Sequence, residues 1–168
     1  MKETIGYYRN IKNEILPFIP SESKTILDVG CGEGYFLMNV KNKKNNKIET
    51  WGIEPVEEIS EEGAKNVDHF IIGKVEEQLQ SIPDNYFDVI TFNDVLEHLL
   101  EPGEVLKKIK NKLSQNGVIV ASIPNVRFFY NLKNLLLFKD WEYTEFGILD
   151  STHIRFFTKK SMSRLFES

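Results

Sequence analysis

Five apolar runs of five to seven residues are spaced along this chain: TILDV at 25–29, IETWGI at 48–53, VDHFII at 67–72, YFDVITF at 86–92 and GVIVASI at 117–123. Nearly continuous apolar runs mark strands buried on both faces, which is the condition of a parallel sheet. Parallel neighbours need long crossovers, usually helical. The stretches between the runs supply them, with helical patterning at 34–42, 56–65, 75–81, 94–99, 103–114 and 125–138, and again from Thr158. A first helix is predicted over 5–16, with Ile5, Tyr8, Ile11, Ile15 and Leu16 on one stripe and Pro17 and Pro20 ending it. The fold class expected is α/β: a doubly wound, mostly parallel sheet with helices on both faces and right-handed crossovers.

The 168 residues fit one domain, 1–168. A net charge of −4 offers no electrostatic footprint for nucleic acid, and KNKKNNK (41–47) reads as a solvated loop after a helix. The single cysteine, Cys31, permits no disulfide and no cysteine-based metal site, which fits a reducing, cytoplasmic setting. No metal ligands are expected. The start, MKETIGYYRN, lacks the apolar core of a signal peptide. No run is long enough to span a membrane. FFYNLKNLLLF (128–138) is broken by Asn131, Lys133 and Asn134 and reads as an amphipathic helix over a core or a substrate pocket.

In a sheet of this kind the ligand lies beyond the carboxyl ends of the strands. The first such exit is DVGCGEG, with Gly30, Gly32 and Gly34 at alternate positions. Glycines there permit positive φ and close approach of a ligand to the main chain. The dinucleotide fingerprint needs a glycine five places after Gly30, where Tyr35 stands, and no Gly-Lys-Ser/Thr follows to make a phosphate loop. Asp28 would repel a pyrophosphate and suits a ligand with a positive amino group. Glu54 ends the second run, about 20 residues on, where a carboxylate can accept from ribose hydroxyls.

LDVGCGEG resembles motif I of the class I, Rossmann-like methyltransferases that use S-adenosylmethionine. WGIEP (51–55), FDVITFNDVLEHLLEP (87–102) and GVIVASIPN (117–125) extend the resemblance over almost the whole chain. The resemblance implies S-adenosylmethionine as cofactor and S-adenosylhomocysteine as product. It assigns Gly30, Cys31 and Gly32 to the methionine and sugar, and Glu54, with Pro55 after it, to the ribose. Asn93 would border the methionine end. The family commonly has an aspartate near the adenine where this chain has Lys74, so Glu76 or the backbone of Val75 takes that contact. The family sheet normally continues into a further antiparallel pair. This chain is expected to lack that pair, leaving the fifth strand as an edge that a homodimer could cover.

On the acceptor side, His98 belongs to the family's Glu-His pair. DSTHIRFFT (150–158) resembles a segment of a bacterial subgroup often encoded near sugar-polymer enzymes, and makes His153 the candidate catalytic base or substrate ligand. Its alternative is a loop anchor bonded to Asp150. Arg155 is a substrate clamp or an ion-pair partner. Tyr8, with Tyr7, would close over the site from the N-terminal helix. Asn125, in the segment 125–157, faces the substrate side, and Trp141 and Tyr143 would line an acceptor pocket. His69 reads as sheet packing. The expected reaction is methyl transfer to a hydroxyl, or an amine, of a sugar or related small molecule. The rivals are a non-catalytic cofactor-binding module and a nicotinamide-dependent oxidoreductase. A nucleic-acid methyltransferase is disfavoured by the acidity and by the exit TFNDV, which lacks an Asn/Asp-Pro-Pro-Tyr/Phe motif.

Overall fold

The computed structural model describes residues 11–44 and 47–167. Tyr7, Tyr8 and the start of the predicted first helix lie outside the described residues. The chain divides into two compact units: Met1–Asn93 with Lys107–Ser122, and Asp94–Leu106 with Ile123–Ser168.

The first unit carries the sheet. Its strands are β1 (Thr25–Val29), β2 (Glu49–Glu54), β3 (His69–Ile72), β4 (Phe87–Asn93) and β5 (Leu113–Ser122). All pairings are parallel, in the order β3-β2-β1-β4-β5. Val29 stands opposite both Ile53 and Phe92, so the three central strands end level with one another. That register brings Asp28, Glu54 and Asn93 to one end of the sheet. The helices of this unit are α1 (Tyr35–Lys43), α2 (Ser60–Asn66) and the single turn α3 (Val75–Gln78). Ile26, Leu27, Leu37, Ile53, Val89, Ile90 and Phe92 are fully buried between the layers.

Two glycines let the first loop pack closely, Gly34 against the end of α2 and Gly52 of β2 against Cys31. Gly34 enters α1 with φ +79°, and a Cβ there would lie 2.5 Å from Val67 Cγ2. A Cβ on Gly52 would lie 2.5 Å from Cys31 Sγ, so the thiol occupies the space that glycine leaves. Gly34→Ala should therefore destabilise the protein by about 2–4 kcal/mol, the left-handed backbone and the overpacking adding. A urea midpoint equal to that of the parent would show that the loop does not need this glycine.

The second unit contains α5 (Phe129–Lys133), which runs on as a π-helical turn, Asn134–Phe138, and α6 (Lys159–Glu167). Between the strands β4 and β5 runs α4 (Pro102–Ile109), whose Val105, Leu106 and Ile109 are buried.

Several helices are shorter than their patterns predict. Residues 11–16 make turns, with Lys12 at φ 42°, and Pro17 sits inside a 3-10 turn, Leu16–Phe18, instead of ending a helix. Residues 94–99 hold only the 3-10 turn Leu96–His98, because Asp94 takes a left-handed φ of 56° and Leu99 is extended. Residues 125–128 are not helical either: Asn125 Oδ1 accepts the Arg127 amide, and Phe128 is extended. β5 begins at Leu113, where a helix end was expected, through an irregularity between Phe87 and Val89. Its side chains are only partly buried or exposed, as expected of an edge. The segment 128–138 leaves Phe129, Leu136, Leu137 and Phe138 about two-thirds exposed or more, so these side chains cover no core. No described helix is long and apolar enough to cross a membrane.

Candidate functional site

In the first unit the exits of β1, β2 and β4 form one hydrogen-bonded group. Asp28 is 1% exposed, and its Oδ1 accepts from Thr91 Oγ1 at 2.6 Å and from Asn93 Nδ2 at 3.0 Å. Burial pushes its carboxyl up to about 7, against the pull of those two donors. Glu54 is 4% exposed; its Oε2 accepts the Gly32 amide at 2.8 Å and its Oε1 the Val56 amide at 3.1 Å. Burial raises its pKa as well, and the two amides oppose the rise.

The glycine loop wraps around this carboxylate. Gly30 and Gly32 have φ of 70° and 56°. The amides of Gly30 and Cys31 both donate to Ile53 O, at 2.8 and 3.2 Å, and Gly34 donates to Cys31 O at 3.0 Å. The Cys31 side chain is buried on Gly52 and burial pushes its thiol up, so its side chain is turned away from the loop's open side and only its main chain could meet a ligand. The N–H of Cys31 is already engaged, which leaves less to the backbone there than the sequence suggests.

What remains around Asp28 is rich in acceptors. Asn93 Oδ1 is buried and has no partner among the described residues. Each Glu54 oxygen has one bond from an amide and room for another. A cluster of acceptors fits a ligand that brings donors, namely an ammonium group and two ribose hydroxyls. S-adenosylmethionine carries both. Asp28 and Asn93 would hold its amino group and Glu54 its ribose. Pro55 is exposed beside Glu54, Val75 is buried at the start of α3, and Glu76 and Lys74 are exposed. Of the two adenine candidates, only Val75 has the buried position of a pocket wall.

In the second unit the sequence expectation gathers around a residue it did not single out. Glu97 is 1% exposed, and its carbonyl accepts the amides of Ile154 and Arg155, each at 3.1 Å. This pins the loop of His153 to the turn of His98. His153 is 8% exposed; its Nδ1 lies 3.0 Å from Ile148 O and its Nε2 3.8 Å from Glu97 Oε1. The anchor of the ring is thus the Ile148 carbonyl, and Asp150 bonds instead to Thr152. His98 is half-buried, with Nδ1 3.2 Å from Thr152 O, and its ring stacks edge-on to His153 with centroids 4.7 Å apart. Burial, then His153, lowers the His98 pKa. Arg155 binds the carbonyls of Leu99 and Leu100 and lies 3.7 Å from Glu101, so its guanidinium is engaged by the protein. Asn125 is exposed and its Oδ1 is taken by the Arg127 amide. Phe156 joins His153, at 6.5 Å between centroids, to Trp141 at 5.4 Å and Tyr143 at 6.1 Å. His69, in β3, stacks on Trp51 and pairs with Glu49, which is the packing role expected of it.

A family model described as a methyltransferase domain matches residues 2–168. The chain belongs to this methyltransferase family. Its relatives include a tRNA U34 carboxymethyltransferase of Campylobacter fetus, 25% identical over 85% of this chain and 58% of that protein. A malonyl-[acyl-carrier protein] O-methyltransferase of Halalkalibacterium halodurans is 29% identical over 66% of this chain and 43% of its own length. The methyltransferase domain thus spans about half the length of these relatives. Among solved structures, a SAM-dependent methyltransferase from Archaeoglobus fulgidus superposes with a TM-score of 0.72 at 24% identity, over 94% of this chain and 66% of that one. The plantazolicin methyltransferase BpumL, in complex with S-adenosylhomocysteine, superposes with a TM-score of 0.68 at 19% identity, over 98% of this chain and 67% of its own. These likenesses show a shared α/β, Rossmann-like fold.

Proposed function

We propose that this methyltransferase domain moves the methyl group of S-adenosylmethionine to a hydroxyl of a small-molecule acceptor, a sugar or related metabolite. The observation that carries the reading is the acceptor-rich group of Asp28, Glu54 and Asn93 around the glycine loop, which suits the cofactor's ammonium and ribose. The cofactor's sulfonium supplies the activation when bound. The protein's part is to align the acceptor with the methyl and to accept the acceptor's proton. His153 suits the second task. The Ile148 carbonyl can only accept, so the neutral ring keeps its hydrogen on Nδ1 and presents a bare Nε2. The aromatic wall of Phe156, Trp141 and Tyr143 next to His153 suits a ring-shaped acceptor. The resemblance of DSTHIRFFT to a sugar-associated subgroup supports the same acceptor. In this reading residues 1–168 are one methyltransferase domain, with 125–157 serving the acceptor. The names of the relatives cover tRNA and acyl-carrier substrates, so the acceptor class is the part to test first.

His153→Ala should leave S-adenosylhomocysteine affinity unchanged and lower turnover about 100-fold or more. The measurement is product release with a panel of sugars and nucleotide sugars, beside a calorimetric titration of the cofactor product. A collapse of cofactor affinity would remove His153 from the acceptor side.

A further inference from the structure

Glu97, His98 and His153 each offer a donor atom, and these atoms lie within 4.8 Å of one another. We propose that these three residues form a binding site for a divalent first-row cation, with Zn2+ the best match. The inference stands on the geometry of this cluster. It goes beyond the methyl-transfer reading.

Three features carry it. The first is the donor set. Two imidazoles and one carboxylate are borderline ligands that suit Zn2+ and its neighbours, whereas Mg2+ and Ca2+ prefer oxygen throughout. The second is the state of the rings. His98 Nδ1 meets the Thr152 carbonyl and His153 Nδ1 meets the Ile148 carbonyl. A carbonyl oxygen only accepts, so both neutral rings carry hydrogen on Nδ1 and keep a lone pair on Nε2. Backbone carbonyls on the far nitrogen are the usual outer partners of metal-bound histidines, and they fix ring orientation before the ion arrives.

The third feature is placement. Glu97 is 1% exposed and His153 8%, while His98 is half-buried and gives a way in. Surface acids gather without ligands, but a buried carboxylate beside two imidazoles is held there by the fold. The Glu97 carbonyl and the Arg155 guanidinium tie the two loops together around it. Ligands about 2.0–2.1 Å from a tetrahedral ion sit roughly 3.3 Å apart. The pair His153 Nε2 and Glu97 Oε1, at 3.8 Å, is near that spacing already. The donor atom of His98 lies within 4.8 Å of both. Three protein ligands leave a fourth position open, the pattern of a catalytic site more than a structural one. The lone pair that would take a proton on His153 is the one that would take the ion. An ion held by Glu97, His98 and His153 would supply Lewis-acid polarisation of an oxygen ligand at its open position, and His153 would then serve as a ligand in place of a base.

The test is titration of the whole chain with Co2+, whose visible ligand-field absorption reports coordination by nitrogen, followed by displacement with Zn2+. The expected result is one equivalent of Co2+ with intense bands, displaced by Zn2+. His98→Ala and His153→Ala should each weaken binding at least tenfold, and His69→Ala should leave it unchanged. Circular dichroism checks folding, and His98→Ala decides if the buried His153 variant does not fold. Absence of the bands in the folded parent overturns the site, as does equal binding by folded His98→Ala, or loss of binding in His69→Ala. S-adenosylhomocysteine titrated into the same samples separates the two ideas. Cofactor binding without cobalt binding refutes the cation site and leaves the methyltransferase reading standing; cobalt binding without cofactor binding does the reverse.

Discussion

Alanine at Asp28 or at Glu54 should weaken S-adenosylhomocysteine binding at least tenfold, which is about 1.4 kcal/mol. Both side chains are buried at level strand ends and both accept hydrogen bonds from the protein. Glu54→Ala removes the proposed ribose ligand and also the partner of the Gly32 amide, so the loop loses a bond on the same stroke. Asp28→Ala leaves Asn93 Nδ2 without its acceptor, while Thr91 Oγ1 keeps the Leu27 carbonyl at 3.2 Å. Each buried donor stranded in this way costs about 1–3 kcal/mol of stability as well. Calorimetry on both variants, with circular dichroism to confirm folding, is the check. Unchanged affinity in both folded variants would remove the cofactor-site assignment.

The second large effect is proton-linked and has two opposite faces. Asp28 is raised from 3.8 to about 7 in the free protein, chiefly by burial. A carboxyl raised on folding stabilises the fold fully below its unfolded pKa, and that contribution is lost as pH climbs through the folded value. Between about pH 4 and pH 7 the free protein should lose on the order of 4 kcal/mol from this one group. Asp68, Asp88 and Asp150 are lowered by their hydrogen bonds and act in the other sense, losing their contribution as pH falls. The informative quantity is therefore the difference between the parent and Asp28→Asn, which keeps the acceptor oxygen and abolishes the titration. Cofactor binding should run the other way. An ammonium group wants the ionised carboxylate, so S-adenosylhomocysteine affinity should fall by up to about tenfold per pH unit below about pH 7. In Asp28→Asn it should be weaker and lack this dependence. A parent whose affinity is flat from about pH 5.5 to 7.5 would mean that the amino group lies elsewhere.

The sheet was legible because its strands are buried on both faces and read as apolar blocks, each bounded by polar turns. Every one of the five lies within a few residues of its expected place. Several helices were harder to bound, because their ends depend on single residues such as Asp94 and Asn125, whose side chains or φ values break the periodicity locally. Asp28 and Glu54 were readable from position alone, as acids at strand exits. Glu97 was not. In sequence it stands only as the first member of a Glu-His pair, and the three-dimensional path of residues 148–155 buries it against His153. The Arg155 side chain could have been a clamp or a staple on sequence grounds; its bonds to Leu99 and Leu100 carbonyls favour the staple.

The glycine loop has turned its own donors inward. The amides of Gly30, Cys31, Gly32 and Gly34 all end on acceptors of the protein itself. A nucleoside shared by many cellular molecules can therefore be told apart by what hangs from it. ATP, ADP and NAD all bring tails that need donors, and this loop has few to give. A tail ending in an amino acid brings its own. The same backbone that elsewhere would gather nucleotides would here turn them away, a selectivity that would come from bonds the protein makes to itself.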